Sequence, residues 1–314
     1  MVLDIDHSDD PTYGQQEFTF SNHYYQNHCY LPLCMFEGTS HALVTASLRP
    51  GTRPSGAEHA MLLVRLLASL RHHWPHTHIL VRGDSHVATP EVIEVSAHRR
   101  WTDGGFGLAG HAVWLRQAAP PIQEARRLPH QRVALARAHG QVPPSRSRLY
   151  DEFTSAAPSW AQPWRVVLKA EVMSAGDNPR VVVTSLEAPT PHMLYEELYG
   201  ARGNCENAIK AVKTDWHSDR TSATTFLANG MRLLLACAAY ALHHAWRTQT
   251  LQHTALAQAH PSTVRLTLFK VAVQVKQYKD RILLHLPSSC PVKALLSRVT
   301  DLLSAVPVPR VNTA

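Results

Sequence analysis

The sequence predicts a mixed α/β fold, and three observations carry that prediction. Short β-branched and alternating apolar runs open the chain and are followed by a helix and a further strand. A stretch rich in arginine and proline then interrupts the pattern. Beyond Pro191 the apolar spacing becomes helical, so strands come first and helices later within one sheet-based architecture.

The elements follow in order. Residues 2–6 (Val-Leu-Asp-Ile-Asp) read as a strand, and the polar run from His7 to Pro11 reads as a turn. Residues 29–36 and 42–48 form two strands around Glu37-Gly38-Thr39-Ser40, a hairpin signal ended by Pro50-Gly51. Ser55 caps a helix running to about residue 73, with Leu63, Leu66, Leu67 and Leu70 on one face. Trp74-Pro75 stops it, and residues 78–84 make a buried-type strand ending in Asp84. A short strand is expected at 105–108. Strands at 164–173 and 180–186 flank a turn at 175–179, and helices follow to about residue 213 and over 221–247. The end supplies strands at 264–275 and 281–286 and a last helix after Pro291. The expected organisation is 1–110 as the first part of the core and 111–190 as a basic, β-containing insertion. Residues 191–250 then carry two core helices, and 251–314 carry terminal strands and a helix.

Composition excludes several classes. With 45% apolar and 18% charged residues the chain is not wholly disordered. Its formal charge of +7 suits an anionic partner. Between His111 and Tyr150 stand seven arginines (Arg116, Arg126, Arg127, Arg132, Arg137, Arg146, Arg148) against Glu124, with no convincing core strand among them. Such a stretch either grips phosphates without reading sequence or is a solvated, proline-broken surface. The five cysteines have no metal-knuckle or redox spacing, which fits a reduced, cytoplasmic protein. No signal peptide opens the chain. The most apolar helix candidate, 231–246, carries Arg232, His243 and His244 and falls short of membrane-spanning length, so no membrane partner is expected. His72 and His76 could suggest zinc, but Pro75 breaks the helix that would align them.

Chemistry concentrates between Tyr199 and Lys213. On an ideal helix Tyr199, Arg202, Glu206 and Lys213 share a stripe about 60° wide and roughly 21 Å long, with Lys210 beside it. This could be a solvated face supported by Glu206–Lys210 spacing. Two features favour a ligand site. Gly200 and Gly203 would each cost about 1 kcal/mol in a helix interior, which suggests a close approach to the backbone. A carboxylate among a phenol, a guanidinium and an ammonium also suits a metal ion beside a phosphodiester.

That spacing (Tyr, two residues, Arg, three residues, Glu, six residues, Lys) resembles the glutamate-bearing signature of bacterial insertion-sequence DDE transposases. The surroundings, Leu198 to Asn204 and Asp219-Arg220-Thr221-Ser222, resemble that group too. So do the strand from Ile79 to Ser85, the opening Leu3-Asp4-Ile5-Asp6 and the hairpin residues Tyr30 to Leu33. The likeness extends from residue 2 to about residue 304. It implies an RNase H-like mixed sheet flanked by helices, with the insertion preceding the glutamate-bearing helix. Asp6, Asp84 and Glu206 would bind two Mg²⁺ or Mn²⁺ ions as the catalytic acids. Hard cations favour such carboxylates, and two of them stabilise both oxygens of an in-line displacement. Asp4 lies two residues from Asp6 on the same strand face and is the alternative first acid. Asp9 and Asp10 read as turn-forming or capping acids. The likeness further implies that Tyr199, Arg202, Lys210 and Lys213 contact DNA. The partners would be transposon ends and target DNA, met by a homodimer in a synaptic complex at the bacterial nucleoid.

Relatives usually carry an N-terminal region ahead of the first catalytic strand, so the expectation is a truncated copy, a fragment or one alternative start. The function expected is metal-dependent nicking and strand transfer. The alternatives are an inactive remnant that only binds DNA, an RNase H-like nuclease without strand transfer, and, least, a histidine-based hydrolase.

Overall fold

Leu3 and Ile5 point to one side of the first strand and Asp4 and Asp6 to the other, and this parity organises the fold. The computed structural model describes residues 1–97, 110–115, 146–173 and 176–305. An eight-stranded sheet runs in the order β6-β5-β1-β7-β8-β11-β10-β9. Its strands are β1 (Val2–His7), β5 (Leu33–Glu37), β6 (Leu43–Ser47), β7 (Ile79–Gly83), β8 (Gly110–Leu115), β9 (Arg146–Ser155), β10 (Trp164–Met173) and β11 (Gly176–Thr184). β1, β7 and β8 are parallel neighbours, and the other pairings are antiparallel. The parallel strands are joined by helical crossovers, with α1 (Gly56–His73) between β6 and β7 and α2 (Pro90–Ala97) after β7. The result is a mixed sheet flanked by helices, the α/β architecture expected from the sequence.

Both faces are covered, which is why most strands read as near-continuous apolar runs. On one face Leu3, Ile5, Met35, Ile79, Val81, Val166 and Val183 pack against Leu63 and Leu67 of α1 and Val92 and Ile93 of α2. Each such side chain contributes about 1.5–3 kcal/mol by leaving water. The opposite face takes α3 (Gly203–Trp216) and α4 (Phe226–Thr250), which bury Cys34 and Phe36 with Ile209, Val212, Leu233 and Tyr240. Here too Val167 and Val182 meet Leu194, Tyr195 and Tyr199. By the same parity Asp4, Asp6, Arg82 and Asp84 stand on the face that carries α3. A second, three-stranded sheet is built from β2 (Asp10–Pro11), β4 (Asn27–Tyr30) and β3 (Phe20–Asn22). Gly51 packs so tightly against it that a Cβ would stand 2.1 Å from the Cys29 carbonyl oxygen.

Several expectations hold. Ser55 caps α1, its Oγ accepting the Glu58 amide at 3.2 Å, and the helix ends at His73. His72, His73 and His76 are exposed. Arg71 beside them is buried and its Nη1 donates to the carbonyls of Trp74 (3.1 Å) and Thr77, pinning the loop into β7.

Others are corrected. The strand expected over 29–36 is split at Leu31-Pro32, with β4 in the small sheet and β5 in the large one. Asp10 is not in a solvated turn but in β2, paired with Tyr30. β8 lies within the arginine-rich stretch, in mid-sheet, because its run Gly-His-Ala-Val-Trp-Leu suits a parallel strand. β9 was also missed, and places Arg146 and Arg148 opposite Met173 and Glu171 of β10. β11 starts at Gly176 rather than Arg180. The strand expected at 105–108 and Arg116, Arg126, Arg127, Arg132 and Arg137 lie outside the described residues.

Residues 264–275 were expected as one strand. Instead Pro261–Val264 (α5) continues into a π-helical turn, Arg265–Phe269, and only Gln274–Gln277 (β12) is extended, paired with Ile282–His285 (β13). Val264 and Leu268, four apart, bury together with Leu251 and with Val299 of the last helix, α6 (Lys293–Ser304). That packing overrides the β-branched local preference. α4 is 25 residues long and therefore long and apolar enough to cross a membrane, contrary to the shorter expectation. It nonetheless packs Leu233, Cys237 and Tyr240 into the core.

Candidate active site: a carboxylate cluster where two parallel strands end

The register of β1 with β7 pairs Ile5 with Gly83, so Asp6 and Asp84 come next on adjacent strands about 4.8 Å apart. Asp84 closes its strand with an Asx turn, its Oδ1 accepting the amides of His86 (2.9 Å) and Val87 (3.3 Å). His86 Nδ1 lies 3.3 Å from Asp84 Oδ2. Burial pushes the Asp84 carboxyl up, but the hydrogen bond and charge of His86, with Arg202 nearby, outweigh it and hold the group below its usual range. Asp6 is moved the other way. Burial, and then the Asp84 charge, raise it to about 6 in spite of Arg202.

Arg202 joins the two ends of the site. Its Nη1 donates to Asp6 Oδ2 at 2.8 Å and its Nη2 to Glu206 Oε1 at 2.7 Å. Burial disfavours the guanidinium charge, yet Asp6, Tyr199 and Glu206 raise its pKa overall. The Tyr199 ring lies beside it, 5.9 Å from centroid to Cζ. Glu206 stands in the first turn of α3 with its side chain 61% exposed. Acids that are 200 residues apart in sequence thus meet around one guanidinium.

The path of the chain into α3 differs from the ideal helix assumed from sequence. Met193–Tyr199 is a π-helical segment and Gly200–Arg202 a 3-10 turn, and only from Gly203 is the helix α. The stripe is correspondingly rearranged. Tyr199 is buried against Val167, Val182 and Leu194, with burial pushing its phenol up to about 12. Its place is beneath Arg202 rather than on the open face.

Asp4 has a different employment from Asp6. It is 1% exposed and takes both Nε and Nη2 of Arg82 at 2.6 and 2.7 Å, while Arg82 Nη1 donates to the Leu198 carbonyl at 2.6 Å. This pair ties the segment leading into α3 to the sheet. Lys213 Nζ donates to the Asp9 carbonyl and to Asp9 Oδ1 (3.0 Å), and Lys210 is exposed.

Asp10 is 1% exposed and neither carboxylate oxygen has a hydrogen-bond partner among the described residues. Burial raises it to about 7, with Asp219 and Asp9 adding to this and Lys213 opposing it. The folded state therefore holds a proton that the unfolded chain, at 3.8, has released. The stability this contributes is complete below about pH 4 and is lost as pH rises to 7, at about 1.4 kcal/mol per unit. Asp10→Asn should consequently match the wild type in urea melts at pH 4 and exceed it at pH 8. An equal difference at both values would show that Asp10 is ionised throughout.

Gly203 has φ −53°, and a Cβ added to it would meet no atom within 4 Å among the described residues, whereas one at Gly200 would stand 3.4 Å from the Tyr195 carbonyl oxygen. Gly203→Ala is expected to stabilise the fold by up to about 1 kcal/mol in urea melts.

Sequence reasoning missed His86 and a histidine pair, half-buried His7 and buried His59, whose Nε2 atoms lie 3.1 Å apart. Burial lowers these to about 3 and about 4, so both are neutral. His86 had a local signal, two residues after a strand-ending acid; the His7–His59 pair, 52 residues apart, had none.

The donor chemistry fits hard divalent cations: oxygen ligands only, two of them close enough to repel. Among the described residues no three His, Cys, Asp or Glu side chains converge tightly enough to hold an ion, and Arg202 bonds both Asp6 and Glu206.

Acids at the carboxyl ends of adjacent parallel strands, on the sheet face that carries a cation-bearing helix, define an acidic site on a mixed α/β sheet. The chain belongs to the transposase DDE domain group 1 family, whose model matches residues 1–308. Members of that family generally use divalent metal ions. No curated protein matches the sequence. Among solved structures, the cryo-EM structure of the piggyBac transposase synaptic complex with hairpin DNA is similar at 11% identity and a TM-score of 0.45. The match covers 100% of this chain and 59% of that chain.

Proposed function

We propose that this chain is the catalytic domain of an insertion-sequence transposase that nicks DNA and transfers the freed strand. Asp6, Asp84 and Glu206 would hold two Mg²⁺ or Mn²⁺ ions, and Asp6 rather than Asp4 is the first acid because Arg82 saturates Asp4. The observation that carries the reading is the Arg202 guanidinium, bonded at once to Asp6 on β1 and Glu206 on α3 beside Asp84. Bound cations supply charge stabilisation for the entering and leaving oxygens of an in-line displacement.

The chain's own groups do the rest. Arg202, Lys210 and Lys213 hold phosphate oxygens, and Tyr199 packs under Arg202 and sets its plane. Asp84 stays ionised through His86, while Asp6, raised to about 6, is the acid most readily freed of charge when the site is empty of cations. Water is the nucleophile for the nick and the released 3′-hydroxyl for transfer. The partners are transposon ends and target DNA, engaged as a homodimer in a synaptic complex, in the cytoplasm at the nucleoid.

The test is a plasmid carrying the element's terminal repeats, incubated with the chain, a target plasmid and Mg²⁺, Mn²⁺ or a chelator. Metal-dependent nicks at the repeat boundary, followed by joined product, are expected. Nicks without joining would make the domain a nuclease, and binding with neither would make it a DNA-binding remnant.

A further inference from the structure

Away from the carboxylate cluster, a cleft of about 980 Å³ lies between the small three-stranded sheet and the loop that links α3 to α4. Tyr13, 91% exposed, lines it together with Lys213, Arg220 and Arg232, against the single acid Asp219. Arg220 and Arg232 make no ion pair among the described residues, so their charge is available to a ligand.

The walls are already joined. Gln16 Nε2 donates to the Thr221 carbonyl at 2.8 Å and Thr221 Oγ1 to the Pro11 carbonyl at 2.6 Å. Glu17 Oε2 accepts the Phe226 amide at 2.9 Å. A preformed cleft asks little ordering of itself on binding. Lys213 stands two turns, about 10 Å, along α3 from Glu206, which is about three nucleotides at 3.4 Å each along one strand. Cations that follow a phosphate backbone, with an exposed aromatic ring beside them, suit a single strand. An unpaired base presents its face to the phenol, whereas a base inside a duplex has both faces covered by its neighbours.

We propose that this cleft holds an unpaired stretch of one DNA strand next to the cut, a base stacked on Tyr13 and phosphates held by Arg220 and Arg232. The inference rests on the DNA-acting reading above.

Fluorescence anisotropy on the full chain in a chelator, where nothing is cut, tests it with two labelled probes. One is a blunt duplex; the other is the same duplex with a single-stranded tail of roughly five nucleotides. The tail is expected to strengthen wild-type binding by roughly tenfold. Tyr13→Ala removes most of that gain and Tyr13→Phe retains it. Arg220→Ala with Arg232→Ala reduces the salt dependence for the tailed probe more than for the blunt one. All three side chains are exposed or solvent-facing, and circular dichroism melts confirm that the variants fold. Equal affinity of the wild type for both probes, or a tail preference that survives the variants, overturns the cleft's role while leaving the DNA reading intact. No binding to either probe overturns both.

Discussion

Glu206→Gln is expected to lower metal-dependent nicking on the order of 10³-fold while leaving urea melts close to those of the wild type. The expectation combines two properties of one side chain. Glu206 is 61% exposed and Arg202 keeps its bond to Asp6 when the Glu206 charge is removed, so the fold loses about 1 kcal/mol at most. Yet it is the only acid that α3 brings to Arg202 and Asp6, and a neutral amide is a poor ligand for a hard cation. Asp84→Ala should be equally inactive, but it also releases the His86 and Val87 amides, so a stability loss of about 1–3 kcal/mol accompanies it. Comparing the two separates chemistry from folding. Wild-type nicking by Glu206→Gln would remove Glu206 from the site and the proposed mechanism with it.

Arg82→Ala is expected to give the largest loss of stability, about 3–5 kcal/mol in urea melts. The pair it breaks has side-chain exposures of 4% and 1%, so the Asp4 charge would remain buried with no counter-ion. The same change frees the Leu198 carbonyl and loosens the entry into α3. Gly38 belongs to this arrangement, because a Cβ there would stand 2.5 Å from Arg82 Nη2 and 2.8 Å from Asp4 Oδ2. Replacing both charges, as Asp4→Leu with Arg82→Met, should cost much less than either single change, since no uncompensated ion is left. Asp4→Asn should be less stable but still nick, whereas Asp6→Asn should fold and fail to nick. The reverse result would reassign the first acid.

Much of this was legible in the sequence, for physical reasons that differ between elements. α1 could be bounded to the residue because its signals are local: a serine cap, a leucine stripe and Trp74-Pro75. β7 was legible because a buried parallel strand leaves an apolar run, Ile79-Leu80-Val81, and β1 because its short, β-branched run is too brief for a helix. β9 was hidden, because a strand at the sheet's edge keeps charges such as Arg148 and Glu152 and resembles a solvated segment. Residues 264–275 were misjudged because burial of Val264 and Leu268 against distant helices decided their conformation.

The site divides in the same way. Sequence by itself determined the residue types of the acidic site and their strand parity, since spacing by two fixes which side chains share a face. It also marked Glu206 within a run of cations. Only the tertiary structure decided which partner each acid takes. Asp4 and Asp6 are chemically alike and share a face, yet Arg82 from β7 claims one and Arg202 from the approach to α3 claims the other. Those partners come from 78 and 196 residues away, so no local pattern could distinguish the two acids.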